Sequence, residues 1–241
     1  MRNHLTHDFF FDGRLSIKQG RKGYRFSIDA VILASSLRPK RRERIVDLGT
    51  GCGIIPLLVA FRHPKTVLFA VEIQEELAEM AELNVAENGF ADTIRIIWGD
   101  MRSLRASSFG GPVDRVVSNP PFRRAASGRI NPNSQRAIAR HEIEVTLPEL
   151  IQTASTLLRT AGQFLLIYPS ERLVELIQQM RTNHLEPKTM RFIHSRQDSE
   201  SKLVMLTGVK RAKPGLKVGA PITIYRPDGS YTEEVEQMFQ P

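Results

Sequence analysis

Cysteine is almost missing from this chain: Cys52 is the only one in 241 residues. No intrachain disulfide can form, which excludes the disulfide-stapled secreted classes and suits a reducing, cytoplasmic compartment. A chain of this length buries about 70–75% of its unfolded surface, so it needs no covalent staple. Long apolar runs are also missing. The longest, "IIPLLVAF" at 54–61, falls well short of the ~20 residues that cross a bilayer. The start, "MRNHLTHDFFFDGR", has only three consecutive phenylalanines among charges, so no signal peptide and no membrane partner are expected. There is no internal repeat, no phosphate-loop motif and no Ser-His-Asp order. The six histidines show no metal-ligand spacing beyond His4 and His7, so no metal is expected.

Acid is missing from three stretches of a chain whose net charge is +8. Between Asp12 and Asp29 the only charges are Arg14, Lys18, Arg21, Lys22 and Arg25. Between Asp114 and Glu142 lie six arginines, at 115, 123, 124, 129, 136 and 140, and between Glu200 and Asp228 six more cations. Solvated faces explain any one of these runs. Three together point to a polyanion, most simply nucleic acid.

What the chain does have is a regular alternation of apolar strands and amphipathic helices from residue 45 onward. "RIVDLG" (44–49), "TVLFAVE" (66–72), "TIRIIWGD" (93–100) and "VDRVVSN" (113–119) read as buried strands. Between them, a helix with Pro56 in its first turn runs to about His63, and "EELAEMAELNVAENG" (75–89) is helical with Gly89 as its stop. A loop of about 20 residues rich in Arg, Asn, Gly and Ser follows the fourth strand. Then come a helix near 146–160, a strand at 163–169, a helix near 171–183 and strands near 188–195 and 202–210. The end reads as a short strand, a turn at Asp228-Gly229 and a helical turn. This order predicts an α/β fold: a doubly wound, mostly parallel, Rossmann-like sheet with helices on both faces. Residues 1–44, with a helix at 29–37, form a short N-terminal extension capping the sheet of a 45–241 domain.

In such a sheet, ligands bind beyond the carboxyl ends of the strands at the first turn. That turn is Asp47-Leu48-Gly49-Thr50-Gly51-Cys52-Gly53, whose alternate glycines let the backbone approach a ligand closely. Glu72 ends the second strand 23 residues after Gly49, the place for an acid that accepts ribose hydroxyls. The spacing departs from the nicotinamide fingerprint, because the third glycine comes one residue early. Asp47 also sits where a pyrophosphate would be repelled. Asp100, in "WGD", supplies a third strand-end acid for an adenine amino group. Three acids around a glycine turn favour a cationic nucleoside over a dinucleotide, and S-adenosyl-L-methionine fits.

Residues 45–119 resemble the class I S-adenosylmethionine-dependent methyltransferases. The resemblance rests on D-L-G-T-G-C-G as cofactor loop, Glu72 for the ribose, Gly99-Asp100 for the adenine and Asn119-Pro120-Pro121-Phe122 after the fourth strand. It implies a seven-stranded sheet with the last strand antiparallel. Phe90 and Met101 are candidates to flank the adenine, with core packing as the alternative.

In this family an N-P-P-F corner methylates planar nitrogens, and the chemistry explains its residue types. An exocyclic amine shares its lone pair with the ring and is a poor nucleophile. If the Asn119 oxygen and the Pro120 carbonyl each accept one of its N–H groups, the lone pair is freed to face the methyl donor. Phe122 then stacks on the base, worth about 1–3 kcal/mol. The base must be flipped out or already unpaired. Arg123, Arg124 and Arg129 follow directly and are candidates for phosphates, as are Lys18, Arg21, Lys22 and Arg25. Asp29 is a candidate for the cofactor or target edge, with a helix cap as the alternative.

The corner alone does not separate adenine N6 from guanine N2 or glutamine N5. "FFFDGRLSIKQGRKGYRFSIDAVILA", N-P-P-F, "ARHE" (139–142) and "PITIYRPDGSYTEEV" together resemble the valine-tRNA adenine-N6 methyltransferase family. That implies tRNA as partner, with an adenine beside the anticodon as target. One departure is that Phe122 is followed by Arg123, where characterised members often carry Tyr and a further aromatic. A cofactor-binding RNA module without activity, and a nicotinamide dehydrogenase, are the readings from other classes.

Overall fold

The structure, a computed structural model, describes residues 5–20, 26–120 and 145–241. Pro121, Phe122, Arg123, Arg124 and Arg129, together with Arg21, Lys22, Tyr24, Arg25 and His141-Glu142, lie outside the described residues.

The chain opens with an antiparallel hairpin, β1 (Leu5–Phe10) and β2 (Leu15–Gly20), which is a sheet of its own. Helix α1 (Ile28–Ser36) follows. The main sheet then builds as β3 (Arg44–Leu48), α2 (Ile54–Arg62), β4 (Val67–Glu72), α3 (Glu75–Glu87), β5 (Ile94–Trp98) and β6 (Val113–Ser118). After residue 144 come α4 (Leu147–Leu157), β7 (Leu158–Pro169), α5 (Leu173–Thr182), β8 (Leu185–His194) and β9 (Ser201–Lys210). The short strands β10 (Lys217–Val218) and β11 (Ile222–Thr223) and helix α6 (Glu233–Gln237) complete it.

The long strands lie side by side as β5-β4-β3-β6-β7-β9-β8. All run parallel except β9, which is antiparallel to both neighbours. The sheet is therefore the expected seven strands, with β10 and β11 added along the outer side of β8 as a two-residue pairing each. From β3 the chain winds outward through β4 to β5, then returns to lay β6 on the other side of β3. That reversal opens a crevice at the carboxyl ends of β3 and β6.

Both faces of the sheet are covered, and the strands record it with a period of two. Ile45, Leu68, Ala70, Leu165 and Ile167 point into a core shared with the hairpin, α1, α2 and α3. Val46, Phe69, Val71, Phe164 and Leu166 point into a second core under α4 and α5. Local signals set the helix ends. Pro56 lies in the first turn of α2, where its missing N–H has no intrahelical partner to lose. Thr146 and Glu149 cap the start of α4 reciprocally, and Glu75 and Glu76 occupy the first turn of α3, the end where the helix dipole favours acids.

The helix expected to reach residue 160 stops at Leu157, and the strand expected at 163 begins at Leu158. Leu158 already pairs with Val113 before the register shifts ahead of Arg115; Ala161, at φ +62°, takes up the extra chain.

Candidate active site

The three glycines of the first turn all have positive φ: +78° at Gly49, +59° at Gly51 and +85° at Gly53. Only glycine holds this region without cost. At Gly53, the cap of α2, an added Cβ would also meet the Ala81 side chain of α3 at 3.3 Å. The loop they form is fastened at several points. The Gly49 and Thr50 amides both donate to the Val71 carbonyl, at 2.9 and 3.0 Å. The Gly51 amide donates to Glu72 Oε2 at 2.9 Å, and Gln74 N donates to Oε1 at 3.0 Å. Ser118, fully buried at the end of β6, donates its hydroxyl to the Leu48 carbonyl at 2.8 Å.

The fourth fastening comes from α3. Asn84 Nδ2 donates to the Cys52 carbonyl at 2.9 Å and to the Lys18 carbonyl at 2.9 Å, and its Oδ1 accepts from Lys18 N at 2.8 Å. One turn later Asn88 does the same for Ser16, accepting its N–H at 2.9 Å and donating to its carbonyl at 2.7 Å. The two side-chain amides thus pair with alternate residues of β2 as a neighbouring strand would. Sequence reasoning missed both asparagines and Ser118. The legible signal was a buried polar residue on the apolar stripe of α3.

Against this closed hydrogen bonding, a few groups stand unpartnered. Both carboxylate oxygens of Asp47, the Thr50 hydroxyl and Asn119 Oδ1 are buried with no hydrogen-bond partner among the described residues. All belong to the carboxyl ends of β3 and β6, the two strands that flank the crevice. Burial pushes the Asp47 carboxyl up to about 7, with the Thr50 hydroxyl opposing and the charge of Glu72 adding to the rise. Unpartnered buried acceptors cost about 1–3 kcal/mol each, and they persist where a ligand's donors complete them. An ammonium, a sulfonium or an aromatic amine supplies what these atoms lack, so the residues fit S-adenosylmethionine and an amine beside it. A pyrophosphate supplies none of it.

The other expected site residues are distributed unevenly. Glu72 is buried at the end of β4, holding the loop with one lone pair of each oxygen. Asp100 follows β5, but its carboxylate is gripped by Arg102, with Nε at 3.0 and 2.9 Å from its two oxygens. That grip holds its carboxyl below the usual range, and Arg102 also reaches Glu149 at the start of α4 at 3.3 Å. Met101 is half-buried against the second core and Phe90 against the first. Asn119 and Pro120 directly follow β6. Asp29 lies in the first turn of α1, where it accepts the Ser27 hydroxyl at 2.6 Å and burial raises its pKa against that bond. Lys18 pairs with Glu87 of α3, anchoring the hairpin.

The family model described as the methyltransferase small domain matches residues 25–184. A tRNA1(Val) (adenine(37)-N6)-methyltransferase from Porphyromonas gingivalis is 33% identical over 204 residues, covering 82% of this chain and 79% of that protein. Another so named, from Tolumonas auensis, is 31% identical over 172 residues, 71% of this chain and 70% of that protein. Among solved structures, a protein from Agrobacterium tumefaciens described as a predicted O-methyltransferase matches with a TM-score of 0.70 at 24% identity, over 87% of this chain and 94% of that one. That last likeness is one of fold. The family match, by contrast, takes in the glycine loop, Glu72, Asp100 and Asn119 together: the chain belongs to the methyltransferase small domain family.

Proposed function

We propose that this protein methylates the N6 amine of an adenine in tRNA, using S-adenosylmethionine. The observation that carries the reading is Asn119: its Oδ1 is buried without a partner among the described residues, on the residue next to Ser118, whose hydroxyl ties the end of β6 to the cofactor loop. The relatives at 31% and 33% identity are named for this reaction on adenine 37 of a valine tRNA, and they favour adenine over guanine or glutamine.

Bound S-adenosylmethionine supplies an electrophilic methyl on a positively charged sulfur. The chain's own residues hold and orient. Asp47 and Thr50 present acceptors to the cofactor's cationic end, and Glu72 keeps its remaining lone pairs for ribose hydroxyls. Asn119 Oδ1 and the Pro120 carbonyl accept the two N–H groups of the adenine amine, withdrawing it from conjugation with the ring. Positioning of this kind supplies several kcal/mol of a barrier, and no strong base is required at the corner. The two prolines fix the backbone on which this carbonyl sits. Phe122 is the stacking surface for the base.

The test is to incubate the protein with labelled S-adenosylmethionine and tRNA, digest the RNA and identify the nucleoside. N6-methyladenosine is expected. Asn119→Ala should lower turnover by about 10²-fold while leaving S-adenosylhomocysteine affinity within a factor of a few. Label appearing as N2-methylguanosine, or only in protein, overturns the assignment of the base.

A further inference from the structure

The crevice absorbs only part of the basic sequence. Of the six cations between Glu200 and Asp228, Lys202 pairs with Glu200 and Arg226 with Glu236. The other four, Lys210, Arg211, Lys213 and Lys217, lie where β9 ends and the chain turns back along the start of β8. Because β9 is antiparallel, its end lies at the amino-terminal edge of the parallel strands, opposite the crevice. The segment entering β3 reaches the same edge and carries Arg38, Lys40, Arg41, Arg42 and Arg44 against one acid, Glu43. Lys65, before β4, and Lys188, near the start of β8, join them.

The acids on these segments are already engaged. Glu43 pairs with Arg115 at 2.7 Å, Asp114 with Arg159 at 2.6 Å and Glu186 with Arg181 at 3.3 Å. Arg38 and Lys188 have no ion pair among the described residues: Arg38 donates to the carbonyls of Ser35 and Leu37, Lys188 to that of Lys213. Between them is a cavity of about 320 Å³ whose lining includes Arg38, Arg115, Lys188, Ser36, Thr189 and Thr207. Among the described residues its lining includes no acid. The field there is felt nearby: burial, then the charges of Arg38, Arg62 and Arg115, hold the His63 imidazole below its usual range.

We propose that this surface is a second RNA contact, in which Arg38 and Lys188 receive a backbone phosphate of the same tRNA whose adenine enters the crevice, while Arg115, held by Glu43, Gln163 and the Arg38 carbonyl, forms the wall between them. The ligand chemistry is a phosphate oxyanion, and its source is a phosphodiester some way from the target. Arg115 is the third residue of β6 and Asn119 directly follows that strand, so at ~3.3 Å per residue Arg115 lies about 13 Å from Asn119. A full-length tRNA carries phosphates well beyond this reach on either side of the target, whereas a stem-loop trimmed to its loop and a few base pairs keeps only those nearest the adenine. This proposal rests on the tRNA reading above.

The test compares wild type with the double variant Arg38→Ala, Lys188→Ala on two RNAs: full-length tRNA and a short stem-loop carrying the target adenine. Binding is followed by fluorescence anisotropy across a salt series, beside turnover. The variant should bind tRNA about tenfold more weakly, with the slope of log K against log salt smaller by about 1. Its stem-loop kinetics and S-adenosylhomocysteine affinity should match wild type, and Arg38→Lys, Lys188→Arg should restore tRNA binding. Unchanged tRNA affinity and slope, or equal losses on both RNAs, overturn the proposal. So does inorganic phosphate occupying the site with an affinity that rivals tRNA, since that marks a small-anion pocket. If wild type turns over neither RNA and the variant still loses tRNA affinity, the catalytic reading fails and the surface stands.

Discussion

At the scale of single residues, Asp47 shows how burial prepares a site. A carboxylate with ordinary solvation would stay charged at any physiological pH, near 3.8, whereas here desolvation lifts it to about 7. A group whose pKa is raised on folding contributes stability that is complete below its unfolded value and is lost as pH rises through the folded one. The ligand-free protein should therefore lose melting temperature from about pH 4 to pH 7 through this residue. A ligand ammonium reverses the preference, because it favours the ionised acid. S-adenosylhomocysteine, which keeps that ammonium, should bind more tightly as pH rises from 5 to 8, and Asp47→Asn should flatten the profile and raise the ligand-free melting temperature at pH 8. Calorimetric titration across that range decides it: a wild-type affinity independent of pH removes Asp47 from the cofactor's contacts.

At the scale of elements, the loop is held as much by its neighbours as by its glycines. Asn84 joins α3, β2 and the cofactor loop through Cys52 and Lys18. Asn84→Ala would leave the buried Cys52 carbonyl and the half-buried amide and carbonyl of Lys18 without this partner, at about 1–3 kcal/mol for each group fully lost. A total loss of about 2–4 kcal/mol, read as a drop of roughly 5–15 °C in melting temperature, is expected, together with weaker cofactor binding. Asn88→Ala, which touches β2 and its own helix but not the loop, should lower stability and spare cofactor affinity. Equal effects on affinity from both would remove the distinction. These ties also mark where sequence stops being legible. Strand alternation, the glycine turn and the N-P-P-F corner are local patterns, so the order of elements and the strand-end acids could be read directly. Asn84 to Cys52 and Ser118 to Leu48 join residues 32 and 70 positions apart, and no local period encodes them. The grip of Arg102 on Asp100 was nearer at hand, two residues away, but a strand-end acid alone does not say which cation takes it.

At the scale of the whole molecule, the two ends of the chain are held together by aromatic rings. Tyr225 stacks on Tyr231 at 5.4 Å, Tyr231 on Phe239 at 5.5 Å and Phe239 on Phe10 at 5.7 Å, while Phe10 packs against Phe26 at 6.0 Å. Arg62 adds to the seam by donating to the carbonyls of Met238 and Gln240 and lying 4.7 Å over the Phe11 ring. The hairpin needs this support. It is a two-stranded sheet with no edge on the main one, and an isolated hairpin is marginal in water. Phe239 is the central ring of the seam and is half-buried, so Phe239→Ala removes two aromatic pairs worth about 0.5–1.5 kcal/mol each, together with part of its apolar burial. A destabilisation of about 2 kcal/mol is expected, concentrated at the chain's start. Hydrogen exchange should show it as faster exchange of the β1 and β2 amides with the amides of β3, β4 and β6 unchanged. Uniform acceleration across the sheet would mean that the hairpin and the sheet open as one cooperative unit, and that the seam is simply part of the common core.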